Sequence, residues 1–253
     1  MRVFVILLKK MEVLSALSMR LVKLTGKSNV PMHPKHLIKT KIWFEKYLTK
    51  SDTVLDFGCG IGQAAIIISR KVRKVIGLDN DPKSLKLAKA SAQNRNLKNV
   101  EFIIFDANKK LPFKNNYVDK VICSDVLEHL EKRNFALGEI RRVLKPQGVL
   151  FLVVDNPSTS WKRLQKSAGL FYYADPDHKY EYPKEAIMEL LKKEDFKILH
   201  ISTVTYDTPL KGLIDLTGGL SLSLYKKLRK WRQYMVKKHP EDTTGYKIVA
   251  QKN

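Results

Sequence analysis

Five short runs constrain this chain more than anything else in it: "TVLDF" (53–57), "KVIGLD" (74–79), "VEFIIFD" (100–106), "VDKVICS" (118–124) and "GVLFLVV" (148–154). They are rich in Val, Ile, Leu and Phe, and most show no polar alternation. Helical segments fill the gaps: "QAAIIISRK", "PKSLKLAKASAQNRN" and "VLEHLEKRNFALGEIRRVL". A strand that is apolar on both sides must be covered on both faces, and strands that alternate with helices give a parallel sheet. The crossovers should be right-handed. The reading is a doubly wound α/β core over residues 46–155. With 253 residues and 44% hydrophobic content, the chain can bury such a core and carry additions to it.

The flanks read differently. Residues 1–45 form a basic helical segment. Leu7, Met11, Leu14, Leu17 and Leu21 recur at helical spacing, with Lys9, Lys10, Arg20 and Lys23 around them. "NVPMHP" (29–34) breaks the pattern, and a short second helix is expected over about 35–48. Residues 156–253 are expected to supply a substrate-side loop, helices and the completing strands of the same domain. The loop is "FYYADPDHKYEYP" (171–183), followed by the helix "KEAIMELLKKE" and the strand "FKILHISTV". Residues 208–238 read as helical, interrupted at Gly218 and Gly219, and "TGYKIVAQK" reads as the last strand.

Composition narrows the function classes. The two cysteines, Cys59 and Cys123, exclude a disulfide scaffold and offer no zinc spacing; no metal is expected. The apolar run Val3–Leu8 is too short to cross a bilayer. The expected location is cytoplasmic, with peripheral membrane contact as an addition. The formal charge of +22 attracts anions: nucleic acid, anionic lipid or an acidic small molecule. It also suits a lysine-rich surface of the kind found at high temperature.

"VLDFGCGIG" (54–62) carries the chemistry. Ligands of an open parallel sheet bind beyond the carboxyl ends of its strands. Asp56 and Gly58 stand there, and glycine lets a ligand come against bare backbone. A dinucleotide turn would place its third glycine at 63, but that residue is Gln63; no "GK[ST]" occurs after it either, which excludes a P-loop. Asp79 ends the second strand, about 20 residues on, where a carboxylate can accept from both ribose hydroxyls. It could also cap the helix after Pro82, but Asn80 or Asp81 can fill that place. Asp106 can accept from an adenine amino group, and the amide of Ala107 can donate to a ring nitrogen.

Taken together, "VLDFGCGIG", "VIGLDND", "FDANKKLPFKNNYVDKVICSDVLEHL" and "RRVLKPQGVLFLVV" resemble the class I S-adenosylmethionine-dependent methyltransferases, in particular the ubiquinone/menaquinone-biosynthesis-like, type 11 group. The likeness covers about residues 53–154. It implies a seven-stranded Rossmann-like sheet of order 3-2-1-4-5-7-6, the last strand antiparallel, with N-terminal helices and a helical insertion near the C-terminus. It implies S-adenosyl-L-methionine as cofactor. By position, Asp56, Gly58, Cys59, Gly60 and Gly62 should form the methionine-side loop. Asp79 and Asn80 should hold the ribose, Asp106 and Ala107 should frame adenine, and Ser124 should lie near the methionine end. Phe57 stands where the family often has a smaller aliphatic residue and should affect packing only.

The methyl on a sulfonium is already activated, so the enzyme must chiefly align a nucleophile with the methyl–sulfur bond. A base is needed only where the acceptor must lose a proton. Candidates are His129 in "LEHL", His178 in "ADPDHKYEY", and Asp125. The structural alternatives are a backbone-bonded histidine for His129 and a helix cap for Asp125. The acceptor should be a small or lipid-like molecule. "CSDV" lacks the Asn/Asp-Pro-Pro-aromatic signature of amino-group methyltransferases, and no Pro-Cys nucleophile occurs, which makes nucleic acid less favoured. The alternatives are an RNA or protein methyltransferase, or a non-catalytic adenosylmethionine-binding protein. In "LYKKLRKWRQYMVKKH", Leu224, Leu228, Trp231 and Met235 form a stripe among lysines and arginines. That stripe suits either packing on the chain's own domain or docking on anionic membrane.

Overall fold

A computed structural model describes residues 2–38 and 42–253. By the packing of its Cα atoms the chain divides into two compact units. One comprises Lys41–Asp155, Asp177–Ser202 and Tyr246–Asn253, and the other Met1–Thr40, Asn156–Pro176 and Thr203–Gly245.

The first unit holds the sheet. Its strands are β1 (Thr53–Phe57), β2 (Lys74–Asp79), β3 (Val100–Ile104), β4 (Val118–Ser124), β5 (Leu144–Asp155), β6 (Phe196–Thr203) and β7 (Gly245–Lys252). Their order is β3-β2-β1-β4-β5-β7-β6, as the resemblance implied. β1 pairs in parallel with β2 and β4, and β2 with β3. Phe57 lies level with Leu78 of β2 and Cys123 of β4. The loops after three neighbouring strands therefore leave the sheet at one level, and this builds the site.

Every residue of β1 is buried, and successive side chains enter different cores. Leu55 and Phe57 pack with Leu137 and Ile140 of α5 (Arg133–Val143) and with Ile187 and Leu191 of α7 (Lys184–Lys193). Val54 packs with Ala65 and Ile68 of α3 (Gln63–Ile68) and with Leu85 and Ala88 of α4 (Pro82–Gln93). This double burial is why the strands read as continuous apolar runs. Each such side chain contributes about 1.5–3 kcal/mol.

The helix expected over about 35–48 is not formed in the described residues. Two 3₁₀ turns stand there, Pro34–Leu37 and Glu45–Tyr47, and the part of that span at 39–41 lies outside the described residues. Just before the second turn, Phe44 stacks on Phe151 of β5 with ring centroids 4.3 Å apart, so tertiary packing outweighs the helical spacing.

The second unit is helical: α1 (Arg2–Lys10), α2 (Val13–Leu24), α6 (Ser160–Ser167), α8 (Lys211–Leu220) and α9 (Leu222–Lys238). α8 runs through Gly218 and Gly219 and stops at Ser221, so the expected interruption lies later than the glycines. The glycines are there for close approach. A Cβ on Gly219 would lie 2.7 Å from the Leu21 Cβ of α2, and one on Gly212 would lie 1.9 Å from the Met11 carbonyl oxygen. The helices are also joined by polar contacts: the Ser15 hydroxyl donates to buried Asp215 at 2.6 Å, and His33 Nε2 lies 3.1 Å from the same carboxylate.

Gly212→Ala should cost on the order of 3 kcal/mol in denaturant unfolding, because backbone must move to admit the methyl. Gly169→Ala, at φ +72° with nothing within 4 Å of the added Cβ, should cost only about 1–2 kcal/mol. Equal small losses would contradict the close helix contact.

Candidate functional site

The site is built on the loop after β1. Its Gly58 and Cys59 N–H groups both donate to the Leu78 carbonyl of β2 at 2.8 Å, and the Gly60 N–H donates to Asp79 Oδ2 at 2.7 Å. Asp79 Oδ1 accepts from the Asp81 N–H at 2.9 Å. The carboxylate at the end of β2 thus fixes two loops at once. Asp81 caps α4, accepting from the Lys83 and Ser84 N–H groups, which leaves Asp79 free of that duty.

The glycines differ in their reasons. A Cβ on Gly62 would lie 2.7 Å from Phe102 and 2.9 Å from Ala88, so that position needs glycine for packing. At Gly60 an added Cβ would meet nothing within 4 Å. The backbone at Gly60 is open to approach.

Beside this loop lies a cavity of about 430 Å³, within the range of small-molecule and cofactor sites. Phe57, Leu78, Phe105 and Leu130 give it apolar walls, with Gly58, Ala107 and Val126 between them. Its polar lining is Asp79, Asn80, Asp125, His129 and Asp177. Three carboxylates and no Lys or Arg line a cavity in a chain with 47 Lys+Arg against 25 Asp+Glu. Such a lining favours a cationic ligand and disfavours a pyrophosphate.

Of the residues singled out in the sequence, Gly58, Asp79, Asn80, Ala107, Asp125 and His129 line this cavity. Asp56, Cys59, Gly60, Gly62, Asp106, Ser124 and His178 are not among its lining residues. Asp56 is buried, and its Oδ2 accepts from the Ala65 N–H of α3 at 3.2 Å, so it braces β1 against that helix. Burial pushes its pKa up to about 7, the Ala65 bond opposes the shift, and nearby Asp79 adds to it. Asp106 turns to Asn108, whose backbone N–H and side-chain amide both donate to its Oδ1. Both cysteines are buried free thiols, pushed far up by burial. Phe57 both packs in the core and faces the cavity.

Asp125 sits at φ +55° with its amide donating to the Val153 carbonyl. The next element, the 3₁₀ turn Leu127–His129, has Val126 at its cap position, one residue beyond Asp125. His129 is at the cavity wall. Behind it, His178 is nearly buried, its ring edge-on to His129 with centroids 4.6 Å apart. His178 Nδ1 lies 3.0 Å from Glu181 Oε1 and 3.9 Å from Asp155 Oδ2. The donor atoms of Asp155, His178 and Glu181 lie within 4.8 Å of one another, a spacing that a divalent cation could use; the direct His178–Glu181 hydrogen bond accounts for the 3.0 Å contact without one.

Sequence reasoning missed Glu128, which carries no motif of its own. It is fully buried; its Oε1 accepts from the Asp155 N–H at 2.7 Å and its Oε2 has no hydrogen-bond partner. Burial pushes its pKa up to about 8, opposed by backbone hydrogen bonds and reinforced by Asp125 and Asp155. Only the pairing of β4 with β5 brings this carboxyl to the end of β5, and no local pattern in the sequence signals it.

With this geometry in view, the comparisons with known proteins agree. The family model for the "Methyltransferase domain" matches residues 48–210, and the chain belongs to that family. An uncharacterized methyltransferase of Bacillus subtilis, YcgJ, is 35% identical over 103 residues, 41% of this chain and 40% of its own length. A sterol 24-C-methyltransferase of Pneumocystis carinii is 28% identical over 204 residues, 74% of this chain and 50% of that protein. The chain therefore spans half or less of the length of these two relatives. A crystal structure of a SAM-dependent methyltransferase of Methanosarcina mazei superposes with a TM-score of 0.59 at 21% identity, covering 85% of this chain and 99% of that one. That likeness is one of fold. The class I methyltransferase fold expected from the sequence stands.

Because Glu128 is raised from 4.5 to about 8, the folded protein binds its proton more tightly than the unfolded chain. That stability is fully present below about pH 4.5 and is lost as pH rises through about 8. Glu128→Gln keeps the acceptor for Asp155 and removes the ionisation. The variant should gain on wild type by on the order of a few kcal/mol between those pH values. Parallel melting profiles across that range would contradict the buried, protonated carboxyl.

Proposed function

We propose that this protein uses S-adenosylmethionine bound in the cavity beyond β1, β2 and β4, and transfers its methyl group to a small or lipid-like acceptor. The acidic lining carries this reading. Adenosylmethionine presents a sulfonium and an ammonium, and Asp79, Asp125 and Asp177 give it a negative wall that a dinucleotide would not favour. Asp79 accepts the ribose hydroxyls with the lone pairs left after Gly60 and Asp81. Phe105 and Ala107 flank the adenine, and the bare Gly60 admits the methionine chain. Asp56, raised towards neutrality by burial, acts from beneath the loop by holding α3.

The cofactor supplies the activated methyl. The protein supplies the alignment, and excludes water with Phe57, Val126 and Leu130. Where the acceptor must lose a proton, His129 takes it at the cavity wall. His178, tied to Glu181, holds the His129 ring edge-on and so acts as a positioning residue. The sterol-methylating relative supports a lipid-like acceptor, and the cavity's apolar walls agree with one. Methylation of RNA or protein is the competing reading.

Calorimetric titration should show adenosylhomocysteine binding and no binding of NAD. Asp79→Ala should weaken the cofactor about a hundredfold, the loss of two charge-assisted hydrogen bonds; unchanged affinity would refute the ribose assignment. Incubation of cell-extract fractions with radiolabelled methyl donor should label the lipid or small-molecule fraction. Label confined to RNA or protein would overturn the acceptor class. With the acceptor so found, His129→Ala should lower kcat by about 10²–10⁴ where a proton is removed and leave cofactor binding in place; an unchanged kcat would show that no base is used.

A further inference from the structure

The helical unit carries a surface that the methyl-transfer chemistry does not use. α1 and α2 succeed one another almost without a break. The Met11 N–H donates to the Leu8 carbonyl at 3.1 Å and the Leu14 N–H to the Met11 carbonyl at 3.0 Å. Glu12 between them keeps helical angles, φ −62° and ψ −25°. The two helices span 23 residues from Arg2 to Leu24, about 34 Å at 1.5 Å per residue.

Their inward face is short. Val5 packs with Trp161 and Ala168, and Ser18 and Val22 are buried. Their outward face is apolar: Val3, Leu7, Val13, Leu17 and Leu24 recur four to seven residues apart. Phe4 beside them is 65% exposed, Val13 72% and Leu24 79%. The charged residues on that face, Arg2, Lys10, Arg20 and Lys23, are all basic and all exposed. The acid of this stretch, Glu12, is held by Lys9 at 2.7 Å and accepts from the indole of Trp161.

A surface helix normally turns charge to water and apolar residues to the core. This one turns apolar residues and cations outward together. The wider unit agrees in sign: it holds 19 Lys/Arg against 6 Asp/Glu, and Asp207, Asp215 and Asp242 among those six are buried. A polyanion such as RNA would match the cations but leave the aliphatic stripe in water. A second copy of this chain would bury the stripe but bring like charges together. A bilayer with anionic headgroups satisfies both, with side chains seated among acyl chains and lysines at the phosphates. No helix of the described residues is long and apolar enough to cross the membrane, so the contact is one of lying on the surface.

We infer that the outward face of α1 and α2 docks the protein on anionic membrane. The inference stands whichever acceptor is methylated. The test is co-sedimentation of the whole chain with vesicles of phosphatidylcholine alone, and of phosphatidylcholine mixed with phosphatidylglycerol. Wild type should sediment with the mixed vesicles, and added salt should release it. Phe4→Ser with Leu7→Ser, at exposed positions that spare the fold, should weaken binding about tenfold. Arg20→Glu with Lys23→Glu should weaken it by a similar factor, and both variants should still bind adenosylhomocysteine. Loss of adenosylhomocysteine binding in wild type would be a failure of the methyltransferase reading and not of this one. The inference is overturned if wild type ignores the mixed vesicles, or if the variants sediment like wild type. It is also overturned if the same substitutions instead dissolve a dimer in size-exclusion chromatography or abolish RNA binding without affecting vesicles.

Discussion

The 2.7 Å hydrogen bond from the Gly60 N–H to Asp79 is the interaction on which the site depends. It joins the loop after β1 to the end of β2. The paired donations of Gly58 and Cys59 to Leu78 set the same loop against the same strand. With these ties the cavity floor is fixed by backbone, and Asp79 faces the cavity already oriented. A carboxylate that both holds the loop and lines the cavity meets its ordering cost on folding and not on binding, which is what preorganisation means.

Around this point burial and charge are used in opposite ways. Asp79, Asp125 and Asp177 line the cavity and present negative charge within a strongly basic chain. Asp56 and Glu128 are taken out of water, and burial raises both towards or past neutrality. The first set suits attraction of a cation. The second acts as struts, Asp56 to α3 and Glu128 to the end of β5. The helical unit shows the complementary arrangement, with three of its acids buried and most of its described cations exposed, Lys162 and Arg232 being the buried ones.

Much of the fold was legible because β1, β2, β4 and β5 are buried on both faces, and such strands cannot hide in a sequence. The motif "VLDFGCGIG" fixed the place of the loop, and Asp79 was legible from its distance to it. Other features depend on contacts between distant segments. Gly62 faces Phe102 and Ala88, and Gly60 faces open space, yet the two are alike as letters. Asp56 reads as a ligand-facing residue because strand-end acids often are; in the structure it is buried against the Ala65 N–H and is not among the cavity's lining residues. The pairing of His178 with Glu181 is local and could have been read from their three-residue spacing, whereas Glu128 owes its shift to burial, which no local spacing signals. The span 35–48 misled because helical spacing says nothing of the Phe44–Phe151 stack. Gly218 and Gly219 misled because close packing on α2 and Pro34 outweighs glycine's poor helix propensity.

The most direct measurement is a crystal structure of the protein grown with adenosylhomocysteine. The account predicts both ribose hydroxyls within hydrogen-bond distance of the Asp79 carboxylate, the adenine between Phe105 and Ala107, and the amino-acid chain over Gly60. A nucleoside bound away from Asp79, or reversed with its adenine over Gly60, would contradict it.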